Sequence, residues 1–566
     1  MRGRLIKNRK DYKKLIKLKK KEHRNELIQK LESLESKNPK EYWNLLKTLR
    51  NNKPEQNKIC NTETFVTFFE DLFSKEKTLP GQHKEVEEAV SRALENVRSM
   101  GDFTMEEFLK ALKMLKINKS AGTDRICAEA IKASPQKMLI LILKIINKIK
   151  DNMYYPENWA EGITSLLLKE GDDEEPDNYR AITITKIIAK LLAIMINERL
   201  HVFLDKEKVI KKEQIGFEKK CRPADHLFVL KSLTDHYTNE GKKLYTCFVD
   251  FRKAFDSVWR MGLFHKLLTS GIEPGLVKLI KDMYDKSSQM LKLGNRVSRK
   301  FMTHRGVKQG CILSPKLFNL FINDLPDIFD TTCDPIHLGN EKLSCLMYAD
   351  DLIIMSETKE GLQNCLNNLE EYTLKWNLRV NLKKTQVIVF QNGGYKGQLP
   401  SFYFGNIQLK MVKEYKYLGT LISNTGNFSL NETNLKKKGL RASYLLTKSL
   451  KGTKPSSTIK LFEKIIEPIL LYNCEIALAY LPKTWDYTRF VFDIWDHGKE
   501  INKVTMSFLR QLLGVHKKTS NIGIMSETGK HPIMMKAYTQ IFKYWLRLQN
   551  TEKTLLKEAL KLNVFK

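Results

Sequence analysis

The chain has 566 residues, of which 42% are hydrophobic and 10% aromatic, a composition that indicates a folded protein of several domains and excludes an intrinsically disordered chain. Its 97 Lys and Arg residues outnumber its 65 Asp and Glu residues, which gives a formal net charge of +32. This excess predicts a polyanionic partner, and nucleic acid is favoured over an acidic membrane surface.

The cysteines and the apolar stretches indicate which cellular compartment and which classes of protein fit this chain. The nine cysteines are scattered and none forms a Cys-x-x-Cys pair, which indicates reduced thiols rather than a zinc ribbon or a disulfide framework. No apolar core follows the N-terminus, and Lys144 interrupts the longest apolar stretch, residues 138–146. We therefore expect an intracellular protein, in the nucleus, the cytoplasm or both, without a signal peptide or a transmembrane segment.

The first 50 residues are strongly basic. They carry 17 Lys or Arg residues against 6 Asp or Glu residues, and their leucines and isoleucines follow an imperfect helical spacing that ends near Pro39. A charged helix is commonly a solvated surface, but an excess of one sign favours contact with phosphates. The cluster at residues 17–24 also fits a nuclear localisation signal. We interpret residues 1–100 as a basic helical N-terminal extension, in which residues 51–100 carry little further information.

A cationic hairpin is predicted next. Two strand-like runs, residues 162–168 and 178–184, flank an acidic loop whose Asp172-Asp173 pair we expect to be solvated. Lys169 and Arg180 then lie near the ends of the hairpin, where two cations suit a triphosphate better than a hydrophobic core.

A helix and a buried strand follow. The helix has Pro223 near its first turn, and we expect His226 on its surface. Residues 244–251 read as a buried strand that ends at Asp250. An acid at the end of a strand is often a helix N-cap, which is the alternative role for Asp250.

A turn and a glycine-bearing loop precede the next helix. Gly294 and Asn295 predict a tight hairpin turn. The loop at residues 304–311 leads into a helix that we expect to begin with Ser314 as N-cap and Pro315 at the first helical position.

Two adjacent carboxylates occur in an apolar run at residues 343–355. The run predicts a strand, a tight turn at Tyr348-Ala349-Asp350-Asp351, and a second strand. Apolar surroundings and an adjacent like charge both disfavour ionised carboxyl groups, so such a pair calls for a cation. A sheet holding this hairpin beside Asp250 would gather three carboxylates at one edge, the ligand type that Mg²⁺ prefers.

The remaining chain predicts a helix over residues 361–378, short strands at residues 385–390, 402–404 and 415–418, and basic helices from Asn431 onward. Pro468 and Gly514 are expected to interrupt those helices.

Three motifs in this order give the chain its resemblance to a known family. They are residues 248–256 (FVDFRKAFD), residues 306–315 (GVKQGCILSP) and residues 348–351 (YADD), and Asp350 follows Asp250 by 100 positions. Residues 105–425 resemble the reverse transcriptase domain of non-LTR (LINE-type) retrotransposons.

The resemblance implies a fold and an activity. The fold would be α+β, a right-hand polymerase with fingers (101–245), a palm with the catalytic aspartates (246–425), and a helical thumb and C-terminal region (426–566). The activity would be RNA-directed DNA polymerisation, a two-metal nucleotidyl transfer from a dNTP to a primer 3′-hydroxyl. The partners would be an RNA template, a DNA primer or target DNA, and dNTPs; the oligomeric state is left open.

The resemblance also implies roles for particular residues. The metal carboxylates, for two Mg²⁺ ions with Mn²⁺ as the alternative, are Asp250, Asp350 and Asp351. The nucleotide-binding residues are Lys169 and Arg180 for the triphosphate, Phe255 as the steric gate against a ribose 2′-hydroxyl, and Gln309 and Gly310 in the pocket loop. The general acid for pyrophosphate is Lys384, and the primer grip is Tyr417, Leu418 and Gly419.

Departures from the family leave alternatives open. Glu218 stands where many relatives carry an arginine, which puts template contacts there in doubt and makes Arg222 the candidate replacement. No endonuclease, cysteine-rich knuckle or ribonuclease H segment is evident, so we expect a fragment or a truncated copy of a longer polyprotein. The rival functions are a group II intron-type maturase and a decayed or domesticated copy that only binds RNA.

Overall fold

The computed structural model describes residues 2–34, 39–49, 62–74, 82–169, 171–332, 334–393, 400–450, 453–477 and 500–564. The chain forms two compact units. The sheet unit consists of Asn57–Tyr415 with Lys553–Phe565, and the helical unit consists of Met1–Gln56 with Lys416–Glu552. The predicted four segments follow functional motifs rather than these units, and they stay a prediction.

The chain mixes helices and strands, as predicted. The described α-helices are α1 (Arg2–Leu34), α2 (Pro39–Leu49), α3 (Thr62–Phe73), α4 (Gln82–Ala93), α5 (Met105–Met114), α6 (Ala128–Lys132), α7 (Gln136–Asn152), α8 (Glu157–Ala160), α9 (Ile187–Lys206), α10 (Pro223–Asn239), α11 (Ala254–Ser257), α12 (Arg260–Thr269), α13 (Pro274–Asp285), α14 (Ser314–Phe321), α15 (Leu325–Thr332), α16 (Lys359–Lys375), α17 (Ser429–Ser449), α18 (Pro455–Ile465), α19 (Glu467–Leu470), α20 (Cys474–Ala477), α21 (Glu500–Leu513), α22 (Asn521–Thr528), α23 (Ile533–Gln549) and α24 (Thr554–Val564).

The described strands are β1 (Glu161–Leu168), β2 (Tyr179–Thr185), β3 (Leu244–Asp250), β4 (Ser288–Leu293), β5 (Arg296–Val297), β6 (Phe301–Met302), β7 (Ile336–Leu338), β8 (Glu341–Leu343), β9 (Cys345–Tyr348), β10 (Asp351–Ser356), β11 (Gln386–Phe390), β12 (Tyr403–Phe404), β13 (Ile407–Gln408), β14 (Lys410–Met411), β15 (Glu414–Tyr417) and β16 (Thr420–Ser423). A 3₁₀ turn, Pro176–Asn178, precedes β2.

The sheet unit contains two five-stranded sheets. The aspartate sheet has the order β14-β11-β3-β10-β9, and the hairpin sheet has the order β2-β1-β4-β5 with β6 also paired to β4. In the aspartate sheet β3 pairs antiparallel with both β10 and β11. Helices α10 and α16 both pack on β3, which explains why five of the seven residues of this strand are buried.

Helix α3 covers the hairpin sheet. Its phenylalanines Phe65, Phe69 and Phe73 form a core with Tyr179 and Leu291 of the sheet. The packing of this helix could not be predicted from the sequence, because its apolar stripe is short and its partner strands lie more than 100 positions away in the chain. Residues 62–73 therefore form a helix that packs on the hairpin sheet, rather than a featureless linker.

The basic N-terminal helix is anchored at one end only. In the helical unit, Ile28 and Leu31 of α1 are buried in a core that also contains Leu446 and Phe462. Residues 6–23, by contrast, are all exposed. The predicted apolar spacing therefore packs only in the last turns of α1, and the basic part of the helix stays in solvent.

Two local predictions are wrong. His226 is buried, with 1% of its surface exposed, rather than on the surface of α10. Ser314 is the first residue of α14 rather than its N-cap, because Leu313 precedes it at the cap and the Ser314 hydroxyl donates to the Lys308 carbonyl instead (2.6 Å).

The expectation that the cysteines are reduced holds for some of them. Cys127, Cys247, Cys311, Cys345 and Cys474 are free. Cys365 is disulfide-bonded, so the expectation of reduced thiols throughout is wrong for this residue. Across the described ranges, no helix is long and apolar enough to cross a membrane.

Candidate active site

Asp250 and Asp351 face each other across two neighbouring strands. Asp250 is the last residue of β3, Asp351 is the first residue of β10, and the antiparallel register pairs them directly. The Asn381 side chain donates from Nδ2 to Oδ2 of Asp250 (2.9 Å), and the Asn381 N–H donates to the Asp250 carbonyl (2.7 Å). Asp250 does not cap a helix: it ends its strand at a sheet edge and shares that edge with a second carboxylate.

Asp350 lies in the two-residue turn between β9 and β10. The other turn residue, Ala349, has a φ of +57°, a conformation that an alanine adopts only when its surroundings hold it there. Buried Gln214 does so: its Oε1 accepts from the Ala349 N–H (3.0 Å), and its Nε2 lies 3.4 Å from the Ala349 carbonyl as donor. A Cβ atom on Gly216 would lie 2.2 Å from the Ala349 nitrogen, so the segment must carry glycine there. The structure thus fixes the turn that presents Asp350.

The carboxyl groups of this turn are hard to ionise without a cation. Burial raises the pKa of Asp350 above its ordinary range, and the charge of Asp250 raises it further, whereas Arg180 and Lys169 oppose the change. Burial, then Asp350 and Asp250, raise the pKa of Asp351 to about 6. A bound divalent ion would offset the repulsion between these partly buried, neighbouring carboxylates and so favour their ionised form.

Two cations of the β1–β2 hairpin, Arg180 and Lys169, act electrostatically on Asp350. Arg180 on β2 pairs with Leu167 of β1, and the Lys169 N–H donates to the Asn178 carbonyl (2.9 Å), so both cations lie at one end of the hairpin as predicted. Desolvation lowers the pKa of Lys169, and the charges of Arg180, Lys253 and Lys384 lower it further. The structure therefore brings four cations into one electrostatic neighbourhood, a concentration suited to a polyphosphate.

Lys384 joins this neighbourhood from a turn before β11. Its N–H donates to the Asn381 carbonyl (3.0 Å), so the same short turn positions Lys384 and the Asn381 amide that holds Asp250. Its role as general acid stays a prediction.

The Phe255 ring packs against two other aromatic rings. Its ring stacks on Phe318 of α14 with centroids 4.7 Å apart and an interplanar angle of 19°, and Phe217 contacts it edge-on at 6.3 Å. The residue is part-buried rather than fully enclosed. Its position, five residues after Asp250, suits a steric gate, which stays a prediction.

The Gln309-Gly310 loop docks on β2. The Thr183 N–H donates to the Gln309 carbonyl (2.7 Å). Gly310 has a φ of +103°, and a Cβ atom there would lie 2.8 Å from the Thr183 oxygen. Glycine is therefore required for the loop to lie this close to the strand that carries Arg180.

Tyr417, Leu418 and Gly419 belong to the helical unit, at the turn between β15 and β16. Leu418 and Gly419 both have positive φ, and the Leu418 carbonyl accepts from the Tyr472 hydroxyl (3.2 Å). The turn is well defined, but its role as a primer grip stays a prediction.

The donor chemistry of the three aspartates fits a divalent metal. In the described part of the chain no three His, Cys, Asp or Glu side chains converge closely enough to hold an ion by themselves. Mg²⁺ is commonly bound by one or two carboxylates and completed by water and substrate phosphates. Asp250, Asp350 and Asp351 fit such a partial ligand set, which a nucleotide would complete.

Sequence reasoning missed three residues that shape the site. Gln214 holds the Ala349 turn, as described above. His226 packs edge-on against Tyr348 at 6.3 Å, and burial lowers its pKa to about 3, so it stays neutral. Tyr415 stacks on Phe248 at 4.3 Å, and burial, together with the nearby charges of Asp351 and Asp250, raises the pKa of its phenol. The Gln-Ile-Gly-Phe run at 214–217 is the available signal for the first of these.

Glu218, the departure from the family pattern, has a structural role. Its carboxylate forms an ion pair with Lys316 (2.9 Å), and both side chains are about nine-tenths buried. A residue bound in this way is not placed to contact a template. Arg222 is the N-cap residue of α10, and its role as the replacement stays a prediction.

Comparison with known proteins agrees with the geometry. Residues 167–422 match the family described as "Reverse transcriptase (RNA-dependent DNA polymerase)". The chain is 26% identical over 428 residues to "RNA-directed DNA polymerase from mobile element jockey" of Drosophila funebris, covering 73% of this chain and 46% of that protein. It is 26% identical over 432 residues to "Probable RNA-directed DNA polymerase from transposon X-element" of Drosophila melanogaster, covering 74% and 46%.

A third relative is "Retrovirus-related Pol polyprotein from type-2 retrotransposable element R2DM" of Drosophila melanogaster, 25% identical over 405 residues that cover 69% of this chain and 36% of that protein. The chain thus spans about half the length, or less, of the curated relatives it matches. The resemblance predicted from the three motifs is confirmed.

Proposed function

We propose that this chain, whose residues 167–422 form a reverse transcriptase domain, is an RNA-directed DNA polymerase of a non-LTR retrotransposon. One observation carries the proposal: Asp250 pairs with Asp351 across β3 and β10, Asp350 adjoins them in the turn, and the charges of Arg180 and Lys169 on the hairpin act on Asp350. A nucleotidyl transferase needs this combination of acidic and basic groups, because it must bind metal and triphosphate together.

The parts of a right-hand polymerase can be assigned on this basis. The aspartate sheet would lie in the palm (246–425), and the β1–β2 hairpin would lie in the fingers (101–245). Residues 426–566 would form a helical thumb and C-terminal region, and α1 would be the core of the basic N-terminal extension. Asp250 and Asp351 then lie opposite each other where β3 and β10 pair, at one end of the palm sheet.

The reaction follows from these positions. Asp250, Asp350 and Asp351 would hold two Mg²⁺ ions, with Mn²⁺ as the alternative. When bound, such ions activate the primer 3′-hydroxyl and offset charge on the leaving pyrophosphate. Lys169 and Arg180 would bind the triphosphate of the incoming dNTP, and Lys384 would supply a proton to the pyrophosphate.

Selection of the sugar would fall to Phe255. Its ring is held by the Phe318 stack, so it cannot swing aside without losing that contact. A ribose 2′-hydroxyl pressed against a fixed aromatic edge is excluded sterically, whereas a deoxyribose is accepted. This choice separates a DNA polymerase from an RNA polymerase that uses the same aspartates.

The nucleic-acid partners would be an RNA template and a DNA primer, the latter supplied by nicked target DNA. The exposed basic stretch of α1 and the net charge of +32 supply the electrostatic attraction for both strands. A nuclear location fits access to target DNA and the basic cluster at residues 17–24, and a cytoplasmic phase fits contact with the template RNA.

A primer-extension assay tests the proposal. Purified chain, poly-rA template, oligo-dT primer, Mg²⁺ and dTTP should give products that lengthen with time and that EDTA prevents. Extension that persists in excess EDTA, or no extension with Mg²⁺ or Mn²⁺, would contradict it. RNA binding retained without any extension would instead favour the domesticated RNA-binding copy.

A further inference from the structure

Asp256 is buried beside the nucleotide-binding residues, where the reaction described above does not use it. It lies in α11 directly after Phe255, and only 5% of its surface is exposed. Its Oδ1 accepts from Nε2 of Gln309 (2.8 Å), and no other side-chain hydrogen bond to its carboxylate is found in the described part of the chain. The buried acid is therefore aimed at one partner, and that partner lies in the proposed nucleotide pocket.

The backbone of the pocket loop does not depend on Asp256 side-chain contacts. The Arg260 guanidinium donates to the carbonyls of Gly306 (3.0 Å) and Arg305 (3.1 Å). The Lys308 ammonium donates to the Ala160 carbonyl (2.8 Å), and the Val307 N–H donates to the Phe255 carbonyl (2.8 Å). These bonds fix the main chain, so the Asp256 carboxylate is left to orient the Gln309 side chain.

The hydrogen-bonding chemistry of Asp256 and Gln309 determines which end of the Gln309 amide faces Asp256. A carboxylate only accepts hydrogen bonds, whereas a carboxamide has a donating end and an accepting end. Asp256 can therefore hold only the NH₂ end of Gln309, and the amide oxygen must face away from it. An asparagine at position 256 would tolerate either orientation, and an apolar residue would impose none.

We propose that Asp256 is a positioning residue of the nucleotide site: its buried carboxylate holds the Gln309 amide in one orientation, in which Gln309 contacts the incoming nucleoside triphosphate. The proposal rests on the proposed function, because it assigns the ligand of Gln309 from it. Asp256 acts through Gln309, not on the reacting atoms.

Burial of this acid is unfavourable in itself, which argues for a role in binding. Burial raises the pKa of Asp256 to about 6, against the opposing charges of Lys253, Lys169 and Arg305 and the hydrogen bond from Gln309. A fold has little reason to bury an acid there, since a neutral side chain of the same shape would pack as well.

A double-mutant cycle tests the proposal. The variants are Asp256→Leu, Gln309→Met and both together, with Asp256→Asn as an isosteric variant that preserves packing if Asp256→Leu unfolds. Steady-state extension gives KM for dTTP and kcat, and the rise in Tm of the protein–primer–template complex with added dTTP reports nucleotide binding without turnover. We expect Asp256→Leu to raise KM about tenfold or more with a smaller change in kcat, and Asp256→Asn to have an intermediate effect.

The double variant decides the outcome. If Asp256 acts through Gln309, Asp256→Leu should change neither KM nor the dTTP-dependent Tm rise once Gln309 is methionine. Fully additive effects, or an unchanged KM in a folded Asp256→Leu protein, would overturn the proposal. If the wild-type chain extends no primer, the proposed function fails, and the Tm series still shows whether Asp256 and Gln309 cooperate in binding dTTP.

Discussion

Asp256→Asn should make the folded chain more stable at neutral pH. In the folded state the pKa of Asp256 is raised from its ordinary value of 3.8 to about 6, chiefly by burial. Each tenfold change in proton affinity corresponds to about 1.4 kcal/mol, so ionised Asp256 destabilises the folded state by up to about 3 kcal/mol. Asparagine has nearly the same shape, carries no charge and can still accept from Gln309.

The sign of the pH dependence follows from the raised pKa. Between about pH 4 and pH 6 the folded state holds a proton that the unfolded state has released, so this group's contribution to stability falls as pH rises through that window. The advantage of Asp256→Asn should therefore be absent near pH 4, grow to about pH 6 and stay constant above it. Other acids titrate in both proteins and cancel in the difference.

Urea denaturation of both proteins from pH 4.5 to 8, followed by circular dichroism, measures this difference. Asp173→Asn, in the exposed acidic loop, is the matched control and should show no pH-dependent gain. A wild-type protein more stable than Asp256→Asn at pH 7.5, or a difference that does not vary with pH, would refute the reasoning. A stability gain paired with a higher KM for dTTP would show that the acid is retained for function.

Three further predictions concern binding. Phe255→Val should lower the preference for dTTP over UTP by at least about tenfold, measured as the ratio of kcat/KM values, and unchanged sugar selectivity would remove Phe255 from the gate role. Arg180→Met should raise KM for dTTP by about tenfold or more, whereas Lys119→Met, in an exposed loop, should leave KM unchanged. A variant of α1 should bind duplex DNA with a weaker salt dependence if five of its lysines are replaced by glutamine: Lys7, Lys10, Lys13, Lys14 and Lys17. The slope of log Kd against log salt concentration should fall by about 2 to 4. An unchanged slope would show that this face of α1 is only solvated.

The acidic half of the site could be predicted because its signals are local. An apolar run interrupted by Tyr348-Ala349-Asp350-Asp351 predicts the hairpin, and a buried strand ending at Asp250 predicts its neighbour. The register that pairs Asp250 with Asp351 then follows once β3 and β10 are adjacent. The β1–β2 hairpin was likewise predictable, because its two strands and loop are contiguous.

The supporting residues could not be predicted, because their contacts join distant parts of the chain. Gln214 lies 135 positions before Ala349, and nothing in its own neighbourhood shows that its amide will hold a strained turn. His226 reads as a surface residue from helical spacing, yet β9 packs on α10 and buries it against Tyr348. Asp256 reads as part of a motif, and only the fold shows which amide it orients.

The most direct test of the central claim compares Asp350→Asn with Asp172→Asn in single-turnover extension of an oligo-dT primer on poly-rA. Asp350→Asn keeps the shape of the turn but removes a proposed metal ligand, so the rate should fall by at least about a thousandfold. RNA binding should stay at the wild-type level, and Tm should be no lower than that of the wild type, because the variant removes a buried charge. Asp172→Asn, in the exposed loop, should extend at the wild-type rate. Extension by Asp350→Asn at a rate close to that of Asp172→Asn would contradict the account.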